Sequence, residues 1–145
     1  MKKLSFMLFR SDNYDELINL WQKAELPYKP KGRDSFSNIS NQIKQKNCEI
    51  IFAKLSKKII GSILVSHDGR KGWINRLAVL PEFRRHGLAQ KLIKEAENWL
   101  EQAGIKIFAC LIEGGNKNSM RVFEKAGYKN FAGMQYYTKR KFPEI

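Results

Sequence analysis

One stretch restricts the fold of this chain more than any other. A strand-like run, Trp73-Ile74-Asn75-Arg76-Leu77-Ala78-Val79, stops at Pro81 and gives way to a basic, glycine-containing turn. A long helical pattern follows: Leu88, Leu92, Ala96, Trp99 and Ala103 share one face, Ile93 and Leu100 lie beside them, and Lys91, Lys94, Glu95 and Glu101 take the other side. Gly104 sits where a helix end wants a left-handed residue. Ile105 to Ile112 then reads as a strongly apolar strand. A strand–helix–strand unit of this kind is a parallel crossover, and it requires a sheet covered by helices.

The flanking segments fit around that unit. Ser5 to Arg10 reads as a first strand, and Asp12 is placed to cap a helix through Tyr14, Leu17, Ile18, Trp21 and Ala24. Pro27 and Pro30 make Leu26 to Asp34 a loop, and a weaker helix runs from about Ser35 to Lys46 on Phe36, Ile39 and Ile43. Glu49 to Leu55 and Ile59 to Ser66 are strands joined by Ser56-Lys57-Lys58, and Asp68-Gly69 turns the chain into the strand that begins at Trp73. After Gly114-Gly115 a short helix spans Asn116 to Lys125, stopped by Gly127, and Tyr128 to Phe131 and Gln135 to Arg140 are expected to be two last strands. The expected architecture is α/β (α+β by some schemes): a mixed, mostly antiparallel central sheet of six to seven strands flanked by about four helices, in a single domain over 1–145.

At 145 residues the chain suits one domain that buries roughly two-thirds of its unfolded surface without a disulfide or metal staple. Lys and Arg number 27 against 14 acids, a net charge of +13 that attracts anions without naming one. Nucleic acid is disfavoured, because basic strands with RNA-stacking aromatics and zinc-finger spacing are both missing. Cys48 and Cys110 form no CxxC pair, so no metal is expected and a reduced, cytoplasmic setting is the default. The N-terminal apolar run is broken by Arg10 and Asp12, too early for a signal peptide or a membrane span.

The turn itself favours an anion. Amides at a helix start have no intrahelical acceptor, and the helix dipole adds partial positive charge there. Gly87 permits close backbone approach, Ala89 is small, and Arg84 and Arg85 bring full charges suited to phosphate. Neither a Walker loop nor a GxGxxG fingerprint is present.

Two motifs in this order resemble the GNAT acetyltransferase superfamily, whose central motif is (Arg/Gln)-x-x-Gly-x-(Gly/Ala) after Val-x-Pro. Here it stands as Val79-Leu80-Pro81-Glu82-Phe83 followed by Arg84-Arg85-His86-Gly87-Leu88-Ala89; the next motif stands as Asn116, Ser119, Phe123 and Gly127-Tyr128. The resemblance covers nearly the whole chain, least over the first 48 residues, and the turn His67 to Trp73 is similar to one in a prokaryotic subgroup of these proteins. It implies an acetyl-coenzyme-A-dependent N-acetyltransferase acting on a primary amine, with no metal. It implies that Arg84, Arg85, His86, Gly87, Leu88 and Ala89 hold the pyrophosphate. Leu77 and Val79 would pair with the pantetheine arm and polarise the thioester carbonyl. Asn116, Ser119 and Phe123 would complete the coenzyme site.

The chain departs from the family at the proton-transfer posts. Phe123 stands where a tyrosine acid is frequent, and the strand from Trp73 to Val79 has no carboxylate. Glu113, just past the fifth strand, is the nearest candidate base, and Tyr136, or its neighbour Tyr137, a candidate acid. The acceptor rim is expected in Leu26 to Asp34, where Lys29, Lys31 and Arg33 disfavour polycations. Two other readings stay open: a coenzyme-A-binding domain without turnover, and a basic nucleic-acid module. A homodimer is compatible with the sequence.

Overall fold

The computed structural model describes residues 2–143 and 145. Five strands form one sheet in the order β1-β2-β3-β4-β5: β1 Leu4–Leu8, β2 Cys48–Leu55, β3 Lys58–His67, β4 Lys71–Val79 and β5 Ile107–Ala109. Neighbours are antiparallel except β4 and β5, which are parallel, as the crossover requires. The helices are α1 Tyr14–Lys23, α2 Phe36–Ile43, α3 Leu88–Gln102 and α4 Lys117–Lys125.

Successive residues of β3 show how the layers are built. Gly61 faces α3 so closely that an added Cβ would lie 3.0 Å from Leu92, whereas Ser62 accepts the indole N–H of Trp21 on α1 at 3.3 Å. Adjacent strand residues point to opposite faces, so α1 and α3 cover opposite sides. Gln90 of α3 donates to the carbonyl of Val122 at 2.8 Å and ties α4 to the α3 layer. On β4, Gly72 is the second point of close approach: a Cβ there would meet Leu100 of α3 at 2.5 Å. The core is continuous through both layers, with Phe9, Leu17, Trp21, Phe52, Ile63, Ile74, Leu92 and Leu100 essentially sealed from solvent.

Three expectations are corrected. Among the described residues the sheet has five strands, not six to seven. Tyr128 is taken up by packing instead of starting a strand: its ring meets Phe123 edge-on at 5.1 Å and its hydroxyl donates to Glu97 at 2.8 Å. A turn with Gly133 at φ +96 then interrupts the tail, and Gln135 to Arg140 joins no ladder. Second, Asp12 does not cap α1; the helix is entered through a 3-10 turn, Ser11–Asn13, whose Asn13 side chain accepts from the Arg10 amide at 3.1 Å. Third, the strand expected over Ile105 to Ile112 is paired only at Ile107–Ala109.

Candidate active site at the β4–α3 turn

The short β5 shapes the site. It pairs with β4 only across Lys71, Gly72 and Trp73. From Ile74 to Val79, β4 keeps β3 on one side and has no strand on the other among the described residues. The two parallel strands therefore diverge and leave a length of β4 backbone open for an extended ligand to pair with.

A bulge sits in this open length. Leu64 pairs with Asn75 but Ser62 with Ala78, so Arg76 and Leu77 together oppose Ile63. Arg76 adopts φ +52, a left-handed conformation unfavourable for a side chain with a Cβ. The extra residue turns Arg76 toward α1. Its guanidinium lies 4.9 Å from the Trp21 ring centroid, donates to Asp34 Oδ2 at 2.8 Å and donates to the Pro27 carbonyl at 2.7 Å. Burial lowers the Arg76 pKa, with Asp34 opposing that shift. Asp34 also accepts the Lys29 amide at 2.7 Å, and its own carbonyl accepts the Tyr14 hydroxyl at 2.7 Å. The loop between α1 and α2 is thus fastened over β4 by one buried ion pair. Sequence reasoning missed this pair. Its signal was a charged residue in the middle of a strand with helices on both faces, which needs a partner.

At the end of β4, Pro81–Phe83 forms a 3-10 turn and Gly87 caps α3 at φ +79 with no side-chain cap. Lys91 is the first helix amide to bond backward, to Gly87 O at 3.2 Å. The amides before it at the helix start are the free donors that every helix leaves. Arg85 is also left-handed, at φ +65, which gives the turn a concave run of backbone suited to an anion. Nothing lies within 4 Å of a Cβ built at Gly87, so the approach to this backbone is open.

The residues anticipated for the turn divide into two groups. Arg85 and His86 are exposed in it. Arg84 instead donates to the carbonyls of Val79 at 3.1 Å and Ala24 at 2.9 Å, clamping the end of β4 to the end of α1. Leu88 turns its side chain into the core and offers only its amide, while Ala89 is half-buried beside it. Leu77 and Val79 lie on the open length of β4. Asn116 caps α4, its Oδ1 accepting the Ser119 amide at 3.1 Å. Phe123, 5% exposed, is a core residue under Tyr128.

The proton-transfer candidates are not brought together. Glu113 is exposed on the loop after β5, and Tyr136 and Tyr137 are 69% and 86% exposed in the tail. Burial pushes the Cys48 thiol up to about 11 and raises that of Cys110, so neither is poised as a nucleophile.

The fold recurs in known proteins, and relatives are also found by sequence. An acetyltransferase of Sodalis glossinidius is 27% identical over 128 residues, covering 87% of this chain and 87% of that protein. An acetyltransferase of Photorhabdus laumondii is 28% identical over 127 residues, covering 88% and 87%. The solved structure of AAC(6')-Iy with the bisubstrate analogue CoA-S-monomethyl-acetylneamine superposes with a TM-score of 0.80 at 18% identity, over 95% of this chain and 99% of that one. The PaiA N-acetyltransferase of Thermoplasma acidophilum, solved with coenzyme A, gives 0.77 at 17% identity over 88% and 90%. These structural likenesses concern the fold. The sequence profile of the acetyltransferase (GNAT) family matches residues 14–128, most of the chain and both motifs of the site, and the chain belongs to that family.

Proposed function

We propose that the chain transfers the acetyl group of acetyl-coenzyme A to the primary amine of an acceptor that also carries negative charge, in a ternary complex. The observation that carries the reading is the coincidence of two backbone features: an open length of β4 and, at its end, a left-handed, uncapped helix start. The first suits an extended arm with amide groups, the second a pyrophosphate, and coenzyme A carries both groups. The amine nitrogen attacks the thioester carbon, the carbon–sulfur bond breaks, and the thiolate takes up a proton. A β4 amide near Leu77 or Val79 is our candidate for stabilising the developing oxyanion.

Charge supports the acceptor class. In the loop over β4, Lys29, Lys31 and Arg33 are exposed, whereas its one acid, Asp34, is 3% exposed and paired with Arg76. The rim therefore meets the acceptor as a cation. Aminoglycosides appear with two of the structural relatives, as sisomicin and as a neamine conjugate. As polycations they are opposed by this rim, so acidic peptides and amino acids are favoured. We place the reaction in the cytoplasm, on the reduced cysteines.

Glu113 is our candidate for taking the amine proton through water. The test is free-thiol release from acetyl-coenzyme A with an amine panel, the acetylated products identified by mass. Turnover on acidic peptides or amino acids at least tenfold above spermidine and aminoglycosides is expected. The reverse order sinks the acceptor class, and binding without thiol release from any amine sinks the transferase. Glu113→Gln is expected to lower kcat at least about tenfold with the affinity for acetyl-coenzyme A unchanged; an unchanged kcat removes Glu113 from the mechanism.

A further inference from the structure

Arg76 is held by more partners than its strand pairing calls for, and the amide that follows it gives them a use. Leu80 N donates to Ile60 O at 2.9 Å. Amides alternate in direction along a strand. The N–H groups of Val79 and Leu77 therefore point away from β3, into the length of β4 that no described strand covers. Leu77 is the farther of the two from the β4–α3 turn. The thioester is likewise the end of acetyl-coenzyme A farthest from its pyrophosphate. Leu77 is thus the amide that meets the acetyl carbonyl, an assignment that rests on the coenzyme reading proposed above.

The Leu77 N–H lies in the peptide plane that follows Arg76. That plane is rigid, so its tilt is set by the dihedrals of Arg76 and Leu77. Arg76 stands at φ +52, where backbone sterics alone would not keep it. Its guanidinium is gripped from three sides, by Asp34 Oδ2 at 2.8 Å, the Pro27 carbonyl at 2.7 Å and the Trp21 ring at 4.9 Å. These partners are themselves fixed. Trp21 is buried and its indole N–H donates to Ser62 on β3, while Asp34 is buried and accepts the Lys29 amide.

We propose that Arg76 and Asp34 are positioning residues for the oxyanion donor: their ion pair holds the β4 bulge so that the Leu77 N–H faces the acetyl carbonyl. Both side chains act through the backbone. Asp34 and Pro27 belong to the loop that rims the acceptor side, so that rim and the group polarising the thioester are one mechanical unit.

Replacing Arg76 alone would leave Asp34 charged and buried, so the test combines Arg76→Gly with Asp34→Asn. The double variant strands no charge, glycine takes the left-handed conformation without penalty, and asparagine still accepts the Lys29 amide. Thiol release is measured beside the infrared carbonyl stretch of bound acetyl-coenzyme A, isotope-labelled at the acetyl carbonyl. The native chain is expected to lower the stretch below that of the free thioester, because a hydrogen bond polarises the carbonyl. In the variant the stretch is expected to return toward the free value, with kcat down about tenfold or more. Affinity for coenzyme A itself, which has no acetyl group, is expected to stay unchanged, whereas general damage to the fold would lower it together with kcat. A stretch that is the same in variant and native chain overturns the proposal, and so does a native chain that leaves the carbonyl at its free value. If the native chain shifts the carbonyl but releases no thiol with any amine, the proposed reaction fails, while the comparison of stretches still decides the role of Arg76. Should the double variant not fold, Arg76→Lys decides. It keeps a cation against Asp34 but gives up the planar fork, and its stretch is expected between the native and free values; a native stretch overturns the proposal.

Discussion

Arg76 stands at φ +52 in the middle of a strand, a conformation that an arginine keeps only when its surroundings hold it there. Asp34, the Pro27 carbonyl and the Trp21 ring do so. With the side chains of the pair only 15% and 5% exposed, removing one partner strands a buried charge. Asp34→Asn is therefore expected to lower unfolding stability by about 3 kcal/mol or more, read by urea denaturation, and to raise hydrogen exchange in residues 26–34 above that of the sheet. At Gly87 the expectation is different, since a Cβ meets nothing. Gly87→Ala carries only the left-handed penalty of about 1 kcal/mol in stability. Its larger effect is expected on acetyl-coenzyme A, with affinity down about tenfold or more by calorimetry, because the methyl group stands on the face that the phosphate must reach. The glycine was legible in the sequence because only backbone conformation and access are at stake there. The Asp34–Arg76 pair was not: its partners are 42 residues apart, and no local pattern joins them.

At the scale of elements, α3 and the strand before it were readable from the sequence pattern, whereas the strand after it, expected over Ile105 to Ile112, is paired only at Ile107–Ala109. The helix found, Leu88–Gln102, buries Leu88, Leu92, Ile93, Ala96 and Leu100. The last strands were misread because the β-prone run Tyr136-Tyr137-Thr138 carries strand propensity without saying which edge receives it. The short α4 is held by side chains more than by length. Tyr128 donates to Glu97 across the α3–α4 contact, and burial raises its hydroxyl well above the ordinary tyrosine value, with Glu97 adding to the rise. The sign follows directly. Below about pH 10 the hydroxyl is protonated in both folded and unfolded chains, and its stabilisation is fully present. As the pH rises past that value the unfolded chain ionises while the folded one does not, so stability is lost. Tyr128→Phe is expected to be about 1–2 kcal/mol less stable at neutral pH and to show a shallower alkaline decline in thermal melting. An alkaline decline identical to that of the native chain would mean that another group governs it.

For the whole molecule, the net charge of +13 acts on every ligand at once. An anionic coenzyme is drawn to such a surface, and salt screens the attraction over about 8–10 Å at 0.10–0.15 M. Its affinity is expected to fall several-fold between low and physiological salt, in a titration repeated at each ionic strength. An affinity indifferent to salt would confine recognition to the backbone of the turn. Either way the decisive contacts in this account are main-chain donors, which calls for a residue-resolved readout. Amide NMR of the full chain, titrated with acetyl-coenzyme A, supplies it. The largest shifts are expected at Arg85 to Ala89 and at Leu77 to Val79, with the opposite end of the β2–β3 pair, Cys48 and Ser66, unmoved. Shifts centred elsewhere, or none at saturating coenzyme, would contradict the assignment of the β4–α3 turn as the acetyl-donor site.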